Sequence, residues 1–227
     1  MYIDECIKDK ITYANIIQYL TMEHKLLLST SNAFILLLTE YNIYVVDCMD
    51  SEYENIFKEL EKYDNIKIII IMNEKLYELI KPKFKHIDIC SQAVYCGEKI
   101  TNKNLMYLKK EDLEFVKKIY DDRTDGNELE ETFKNNNLLG YYENNQLIGM
   151  IGRHIDNSIG MLYVIEKFRK KGYGSIILKT AFLFWENQVP FTHIIIGNTA
   201  SENLHKKIQC KFGKKKVYWL YNDDFIC

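Results

Sequence analysis

Hydrophobic positions in the first 96 residues follow helical and extended patterns in alternation. Over residues 1–21 apolar side chains recur every three or four positions, which predicts one amphipathic helix. The stretches after it predict two strands joined by a turn, then a helix, a strand, a helix and a strand. In that order they read AFILLLTEYNIYVVDC, DSEYENIFKELEKY, NIKIIIIM, NEKLYELIKPKF and IDICSQAVYC. We expect Asp50 or Ser51 to cap the first of these two helices and Asn73 the second.

The second half repeats much of this order. Two helical stretches precede three strands, a helix from about Tyr173 to Asn187, a strand, a helix and a final strand. Apart from the helix at 173, these stretches read KEDLEFVKKIY, NELEETFKNN, LLGYYEN, QLIGMIGRHI, SIGMLYVI, FTHIIIG, SENLHKKIQ and KKKVYWLY. A hairpin turn is expected at Asn144 and Asn145. Because strands alternate with helices, we expect a mixed α/β fold divided at the polar segment 97–104 into domains 1–98 and 104–227.

Composition and charge disfavour some classes of function and do not identify a particular one. The chain has 47% hydrophobic residues, 27% charged residues and a net charge of -2, which is ordinary for a globular protein and favours neither nucleic acid nor membrane as a partner. Its six cysteines are scattered, so we expect free thiols and no metal site. The first residues lack the pattern of a signal peptide, and no apolar stretch reaches the roughly 18 residues of a membrane span. We therefore expect a cytoplasmic protein.

Every glycine lies at position 97 or later. A backbone that approaches a phosphate usually needs glycine, because a side chain would block the amide groups. The first half therefore cannot contain a glycine-rich loop. We expect it to serve as a lid, a wall of a substrate pocket or a dimer surface, and we place the chemistry in the second half.

The strongest candidate for that chemistry is the loop RKKGYG, residues 169–174. It lacks the third glycine of a Rossmann fingerprint and the Lys-Ser/Thr pair of a P-loop. It fits the pattern Arg-x-x-Gly-x-Gly between the apolar strand IGMLYVIEKF and an apolar helix. Such a unit aims amide groups and the positive end of a helix dipole at one point, which suits a pyrophosphate. The alternative is a basic surface turn before a packed helix.

A second pattern follows the next strand. Asn198, Ser201, Leu204 and Lys207 are spaced as Asn-x-x-Ser-x-x-Leu-x-x-Lys. With both patterns in this order, residues 105 to 222 resemble the GNAT superfamily of acyl-CoA-dependent N-acyltransferases. The two-part chain also resembles the glycine N-acyltransferase-like branch. The resemblance implies a mixed, mostly antiparallel sheet flanked by helices, with the N-terminal α/β domain as a smaller and degenerate GNAT-like half.

The resemblance also implies where coenzyme A binds. The loop would hold the pyrophosphate, the preceding strand would bind the pantetheine arm through its main chain, and Asn198 would contact that arm. Ser201 would cap the next helix, a role that needs no ligand. The implied cofactor-binding residues are Leu162, Tyr163, Val164, Arg169, Lys170, Lys171, Gly172, Tyr173, Gly174, Ser175, Asn198 and Ser201.

The implied reaction is attack of a neutral amine on the thioester of acetyl-CoA, with a main-chain N–H of the strand holding the oxyanion. Many members of the superfamily have a tyrosine acid where this chain has His205. An imidazolium there would protonate the thiolate, although a histidine on a helix also serves surface or packing roles. His154 or a water chain is the candidate base, and His154 is equally expected as a solvated strand end.

The leading expectation is thus an N-acetyltransferase with a small-molecule amine as acceptor. The open alternatives are a catalytically weak acyl-CoA sensor or interaction module, and a nucleotide-phosphate binder unrelated to coenzyme A. The first half is also a candidate surface for a homodimer.

Overall fold

The structure is a computed structural model that describes residues 1–98, 100–120, 127–185 and 189–222, with the backbone alone at 127 and 128. Within these ranges the helices are α1 (Tyr2–Cys6), α2 (Ala14–Tyr19), α3 (Tyr53–Leu60), α4 (Glu74–Ile80), α5 (Lys110–Ile119), α6 (Asn127–Lys134), α7 (Tyr173–Phe184) and α8 (Thr199–Lys207). The strands are β1 (His24–Ser29), β2 (Ala33–Leu38), β3 (Ile43–Cys48), β4 (Ile68–Ile71), β5 (His86–Val94), β6 (Leu105–Tyr107), β7 (Leu138–Glu143), β8 (Gln146–Arg153), β9 (Ile159–Val164), β10 (Phe191–Ile195) and β11 (Lys211–Tyr221).

The strands of the described ranges form two sheets. One has the order β1-β2-β3-β4-β11-β5-β10 and the other the order β6-β7-β8-β9. The four-stranded sheet is antiparallel throughout, and β3 pairs with β4 in parallel. The run of four isoleucines in β4 is fully buried, as expected for an inner strand covered on both faces. These observations confirm the predicted fold class, a mixed and mostly antiparallel α/β protein whose sheets are flanked by helices.

The chain forms two compact units that are not continuous in sequence. The first contains Met1–Val94, His193–Thr199 and the described residues of 212–225. The second contains the described residues of Tyr95–Thr192 and Ala200–Lys211. Most of β10 and β11 therefore packs with the first 94 residues. The division into domains 1–98 and 104–227 stays a prediction, because compact packing is not a test of independent folding.

Several predicted turns and caps are confirmed. Asn73 caps α4 by accepting a hydrogen bond from the Leu76 amide at 2.9 Å. Asn144 and Asn145 join β7 to β8 with φ angles of 48° and 62°. Positive φ at both positions is the backbone of the tight hairpin turn that asparagine tolerates.

Other local predictions are wrong. Residues 1–21 form two short helices, because the Asp9 carboxylate accepts hydrogen bonds from the amides of Ile11 and Thr12 and stabilises a turn between them. The helix α3 has Glu52 as its N-terminal flanking residue, and neither Asp50 nor Ser51 caps it. The strands β1 and β6 are additional to the predicted elements. The predicted end of α7, at Asn187, lies outside the described residues.

Each unit has an apolar core of its own. In the second unit the core residues lie on α5, α6, the four-stranded sheet and the segment between β6 and α5, and they are Leu108, Val116, Leu129, Leu138, Tyr142, Leu147, Met150 and Met161. A fully buried aliphatic side chain stabilises a fold by about 1.5–3 kcal/mol, so this cluster holds the sheet that carries the candidate site. Of the described helices, none combines the length and apolar character needed to cross a bilayer.

Candidate active site

A bulge in β9 shapes the strand that precedes the loop. The pairing of β8 with β9 shifts register between Met150 and Gly152, and Met161 has a φ of 54°. A β-bulge re-aims the residues that follow it, and a methionine at positive φ is strained. Gly152 makes room for this conformation, since a Cβ there would lie 2.7 Å from the Met161 sulfur.

Beyond the bulge, Leu162, Tyr163 and Val164 are half-buried on an edge strand of the four-stranded sheet. Their main chains pair with β8 on one side only in the described sheet. A Cβ on Gly149 would lie 2.5 Å from the Tyr163 carbonyl oxygen, so this glycine permits the close approach of the two strands. The strand therefore offers main-chain groups on its open side, as the prediction for Leu162, Tyr163 and Val164 requires.

Arg169 ties the loop to the end of β9. Its Nε donates a hydrogen bond to the Val164 carbonyl oxygen at 2.9 Å, and its guanidinium lies 5.0 Å from the centroid of the Tyr163 ring. These contacts position the loop. Arg169 is exposed, so its guanidinium can also hydrogen-bond an anion.

The five residues after Arg169 present a run of amide groups. Among the described residues, no hydrogen-bond acceptor is paired with the amides of residues 170 to 174. Lys170 and Gly172 have φ angles of 61° and 89°, and Gly172 directly precedes α7. Unpaired amides at the start of a helix bind anions through hydrogen bonds and the helix dipole. Lys170 and Lys171 are exposed and add positive charge.

The side chain of Tyr173 contacts the β7–β8 hairpin. Its hydroxyl donates a hydrogen bond to the Glu143 carboxylate at 2.7 Å, and this bond raises the pKa of Tyr173. Its ring packs edge-on against Phe168. Only the amide of Tyr173 is therefore placed to hold a ligand. Sequence reasoning missed Glu143, whose one signal was its position beside the predicted hairpin turn.

Gly174 has a packing role in addition to its amide. A Cβ at this position would lie 3.7 Å from the Leu204 side chain and 3.9 Å from that of Val164. Leu204 thus brings α8 against the first turn of α7. Ser175 is half-buried, and its amide donates to the Gly172 carbonyl at 3.1 Å. The amide of Ser175 is therefore engaged in the helix.

His205 is buried, with 4% of its surface exposed. Its Nδ1 lies 2.8 Å from the Ser201 carbonyl oxygen, and its Nε2 is buried without a hydrogen-bond partner among the described residues. Burial lowers the pKa of His205, an effect that the bond to Ser201 only partly offsets. The ring is therefore neutral at neutral pH, which removes the argument for an imidazolium acid. The assignment of His205 as a catalytic residue itself stays a prediction.

The other predicted site residues, Ser201, Asn198 and His154, lie in different elements of the structure. Ser201 lies within α8, which begins at Thr199, so the expected N-cap role is wrong. Asn198 belongs to the first unit, and its amide donates to the Ile195 carbonyl at 3.0 Å. His154 lies in the turn between β8 and β9, where its ring packs on Gly160. Whether Asn198 and His154 contact ligand stays a prediction.

The lysine run at the start of β11 is engaged in ion pairs within the first unit. Lys214 pairs with Asp9 at 3.3 Å and Lys216 with Glu74 at 3.1 Å. Lys215 pairs at 2.6 Å with Asp47, which is fully buried. The run therefore has structural partners in its own unit.

Comparison with known proteins identifies the same region of the chain as the candidate site. The family model described as the Acetyltransferase (GNAT) family matches residues 103–209. None of the curated proteins compared with the chain matches it.

Solved structures similar to this one cover most of the chain. A Drosophila protein has 17% identity and a TM-score of 0.59, and the match covers 85% of this chain and 74% of the Drosophila chain. A conserved protein of unknown function from Staphylococcus epidermidis has 16% identity and a TM-score of 0.57, with coverages of 94% and 99%. An acetyltransferase from the GNAT family of Colwellia psychrerythraea has 11% identity and a TM-score of 0.52, with coverages of 90% and 87%. At these identities the likeness establishes a shared fold, which includes an N-terminal portion.

The matched segment includes β6 to β9, the loop, α7 and all of α8, which are the elements that build the candidate site. The sequence motifs, the strand-loop-helix geometry and the family match therefore agree. Residues 103–209 form an acetyltransferase domain of the GNAT family, whose members transfer acyl groups from acyl-CoA.

Proposed function

We propose that this chain is an acetyl-CoA-dependent N-acetyltransferase that acts on the primary amine of a small molecule. The run of unpaired amides from Lys170 to Gly174 carries the proposal, because such a run before a helix can hold a pyrophosphate and it lies next to an open strand edge. Apart from its two chain neighbours, none of the described residues has a heavy atom within 4 Å of the Cβ position of Gly172, so the loop is open on that side.

The roles of the residues follow from their positions. The amides of 170 to 174 and the side chains of Lys170 and Lys171 would hold the pyrophosphate. The open edge of β9 at Leu162 to Val164 would pair with the pantetheine arm, and a main-chain N–H there would hold the carbonyl oxygen. Acetyl-CoA would supply the activated acyl group.

Ligand binding tests the cofactor assignment. Thermal unfolding should shift to higher temperature with coenzyme A or acetyl-CoA and less with ATP, since a ligand that binds the native state stabilises it. Lys170→Ala combined with Lys171→Ala should weaken coenzyme A binding about tenfold or more, and binding should weaken at high salt. A matched control is Lys134→Ala, because Lys134 lies on α6 and pairs with Glu130 at 3.3 Å. Stabilisation by ATP alone would exclude the acyltransferase.

Turnover tests the reaction. Release of free coenzyme A thiol from acetyl-CoA should rise above the hydrolysis rate with at least one amine in a panel of amino acids, polyamines and other small amines. Binding without turnover across the panel would favour an acyl-CoA-binding module. The neutral state of His205 gives that second function its support, because a neutral ring in this position is not a ready acid.

A further inference from the structure

The strand and helix order around the candidate site occurs twice in the chain. In the second half β9 is followed by the loop, α7, β10, Asn198 and α8, and in the first half β3 is followed by residues 49–52, α3, β4, Asn73 and α4. The first of these loops, MDSE, contains Asp50 and Glu52, whereas the second contains glycines and lysines. Carboxylates repel a pyrophosphate. A ligand at the end of β3 would therefore differ from coenzyme A in its chemistry.

A cavity of about 470 Å³ lies at the ends of β3 and β4, within the first unit. The two strands are parallel, so their carboxyl ends lie at the same edge of the sheet. The strand β11 pairs antiparallel with β4 from Tyr218↔Ile71 onwards, so the lysine run at 214–216 extends past the end of β4 and lines the cavity. Ligand sites have volumes of about 300–1,000 Å³, and in α/β sheets they lie outside the carboxyl ends of parallel strands.

Lys215 connects this cavity to a buried carboxylate. Its Nζ donates a hydrogen bond to Asp47 Oδ2 at 2.6 Å, and the side chains are 30% and 0% exposed. The hydroxyls of Tyr13 and Tyr2 donate to the same oxygen at 2.8 Å and 3.3 Å. Burial and the charge of Asp47 raise the pKa of both hydroxyls, so both stay neutral donors. The carboxylate is thus fixed, and it holds the ammonium group at the cavity.

Stability alone does not account for this ion pair. The desolvation of two charges offsets most of their attraction, so apolar side chains of similar volume would serve a fold equally well. The ammonium group has three N–H donors, of which Asp47 takes one and the Tyr2 hydroxyl, at 3.5 Å, is a distant acceptor for another. The Tyr13 ring centroid lies 5.4 Å from Nζ. Because Lys215 is partly exposed in the cavity, it can donate to a ligand that carries a negative charge.

The rim of the cavity favours a single negative charge. Three lysines and two carboxylates line it. The side chains of Lys214 and Lys216 are 85% and 50% exposed, and surface ion pairs such as theirs contribute only about 0–1 kcal/mol. Both lysines can therefore turn to a ligand at little cost. The carboxylates of Asp50 and Glu74 would repel a doubly charged group such as a phosphate.

Apolar side chains line the rest of the cavity. Met49 is 48% exposed there, and Met72 and the Tyr218 ring lie at the same cavity. The Tyr218 ring is fixed by stacking on Tyr77, with 4.1 Å between the ring centroids. Methionine side chains are flexible and adapt to the shape of a ligand. Together they offer a surface for the apolar part of a small molecule.

We propose that this cavity binds a small monocarboxylate with an apolar body. The carboxylate accepts a hydrogen bond from Lys215 and lies near Lys214 and Lys216, and the apolar body packs against Met49 and Met72. The site contains none of the residues assigned to coenzyme A, so the inference does not rest on the proposed function.

Nuclear magnetic resonance of methionine methyl groups in the intact protein tests the proposal. Of the seven methionines, Met49 and Met72 line the cavity. The probes are hexanoate, isovalerate and phenylacetate, each paired with its neutral primary amide. At least one carboxylate should shift both methyl resonances saturably and leave those of Met106, Met150 and Met161 unchanged. It should bind about tenfold more tightly than its amide, because hydrogen bonds to a charged group are stronger.

The same titrations can overturn the proposal. It fails if none of the three carboxylates shifts the resonances of Met49 and Met72 saturably, if the amides bind as tightly, or if benzylphosphonate binds more tightly than phenylacetate.

A variant at the cavity mouth tests the site while keeping the ion pair intact. Met49→Glu should weaken carboxylate binding about tenfold or more, measured at the Met72 methyl group, because it adds a like charge and removes an apolar contact. The matched control is Met106→Glu in the second unit, where Met106 is 40% exposed. This control should keep the original affinity within about twofold. Equal affinities of the two variants would contradict the assigned site.

A double variant tests the ion pair itself. Asp47→Asn combined with Lys215→Met removes both charges and so leaves neither buried alone. It should lose at least tenfold in affinity for the carboxylate and bind the amide about as before. Unchanged carboxylate affinity would overturn the role of Lys215 and with it the proposal. Circular dichroism checks the fold, and if the double variant does not fold, Met49→Glu and the unaltered protein still decide.

Discussion

At Lys170 and Gly172 the backbone adopts positive φ angles, and only the second position is a glycine. A lysine in this conformation is strained, since a Cβ there crowds the following carbonyl oxygen. The strain is local to the loop, in which the amides of residues 170 to 174 have no hydrogen-bond partner within the described part of the chain. It is consistent with a backbone shaped for a ligand, which would gain hydrogen bonds from that shape.

The two glycines of the loop should respond differently to alanine. Gly172 has a φ of 89° with open space around the Cβ position, whereas a Cβ on Gly174 would make an ordinary contact of 3.7 Å. Gly172→Ala should lower the free energy of unfolding by about 1–2 kcal/mol through backbone strain. Gly174→Ala should be neutral or stabilise by up to about 1 kcal/mol, because alanine favours helix. Urea unfolding measures both.

Equal effects of the two substitutions would contradict this assignment of backbone strain to Gly172. The comparison also replaces a simpler view of the loop, in which both glycines only clear space for phosphate. The contacts show that the Cβ of residue 174 would point to Leu204 and Val164.

At the scale of strands and helices, the close spacing of two paired strands shapes the candidate site. The edge strand β9 approaches β8 closely because Gly149 and Gly152 lack side chains. A Cβ on Gly149 would meet backbone, the Tyr163 carbonyl oxygen, whereas a Cβ on Gly152 would meet mainly the flexible end of Met161. The first clash can be relieved only by moving the strand itself.

Alanine at these two positions should therefore give graded effects. Gly149→Ala should lower the free energy of unfolding by about 2–3 kcal/mol and weaken coenzyme A binding, because it displaces the end of β9. Gly152→Ala should cost less, about 1 kcal/mol, since a methionine side chain can adapt. Urea unfolding and calorimetric titration with coenzyme A test the order. A larger loss of stability and of coenzyme A binding from Gly152→Ala would show that these depend more on the bulge than on the spacing of the two strands.

On the scale of the molecule, the seven-stranded sheet combines distant parts of the sequence. The strand β11 lies between β4 and β5, and β10 follows β5 at the sheet edge. The four residue pairs from Tyr218↔Ile71 to Tyr221↔Ile68 join β11 to β4. Without β11, the fully buried β4 would lose a neighbour and leave its backbone groups unpaired.

A fragment of residues 1–98 should accordingly fail to fold. It contains five strands of the sheet but lacks β10 and β11. We expect its circular dichroism and amide exchange to be those of a largely unfolded chain, while the full chain is protected. As a control, the full chain cut at a protease site inserted within 97–104 should keep its protection, because every strand is still present. A stable, protected fragment would support an autonomous N-terminal domain.

Features that depend on neighbouring residues could be predicted from the sequence. The cap at Asn73, the turn at Asn144 and Asn145 and the position of the loop before α7 all depend on residues within a few positions of each other. The break between α1 and α2 was missed, because one carboxylate, Asp9, outweighs a hydrophobic pattern that continues through it. The role of Ser201 was misassigned, since α8 begins two residues earlier.

The sequence by itself determined the order of strands and helices, the place of the glycine loop and the family of residues 103–209. These rest on local propensity and on motifs, which are properties of contiguous residues. The tertiary structure alone decided that β11 joins the N-terminal strands, that the Tyr173 hydroxyl bonds to Glu143, and that His205 is buried with Nδ1 against the Ser201 carbonyl oxygen. Each of these depends on contacts between distant residues or on burial. Both are determined only by the packing of the folded chain.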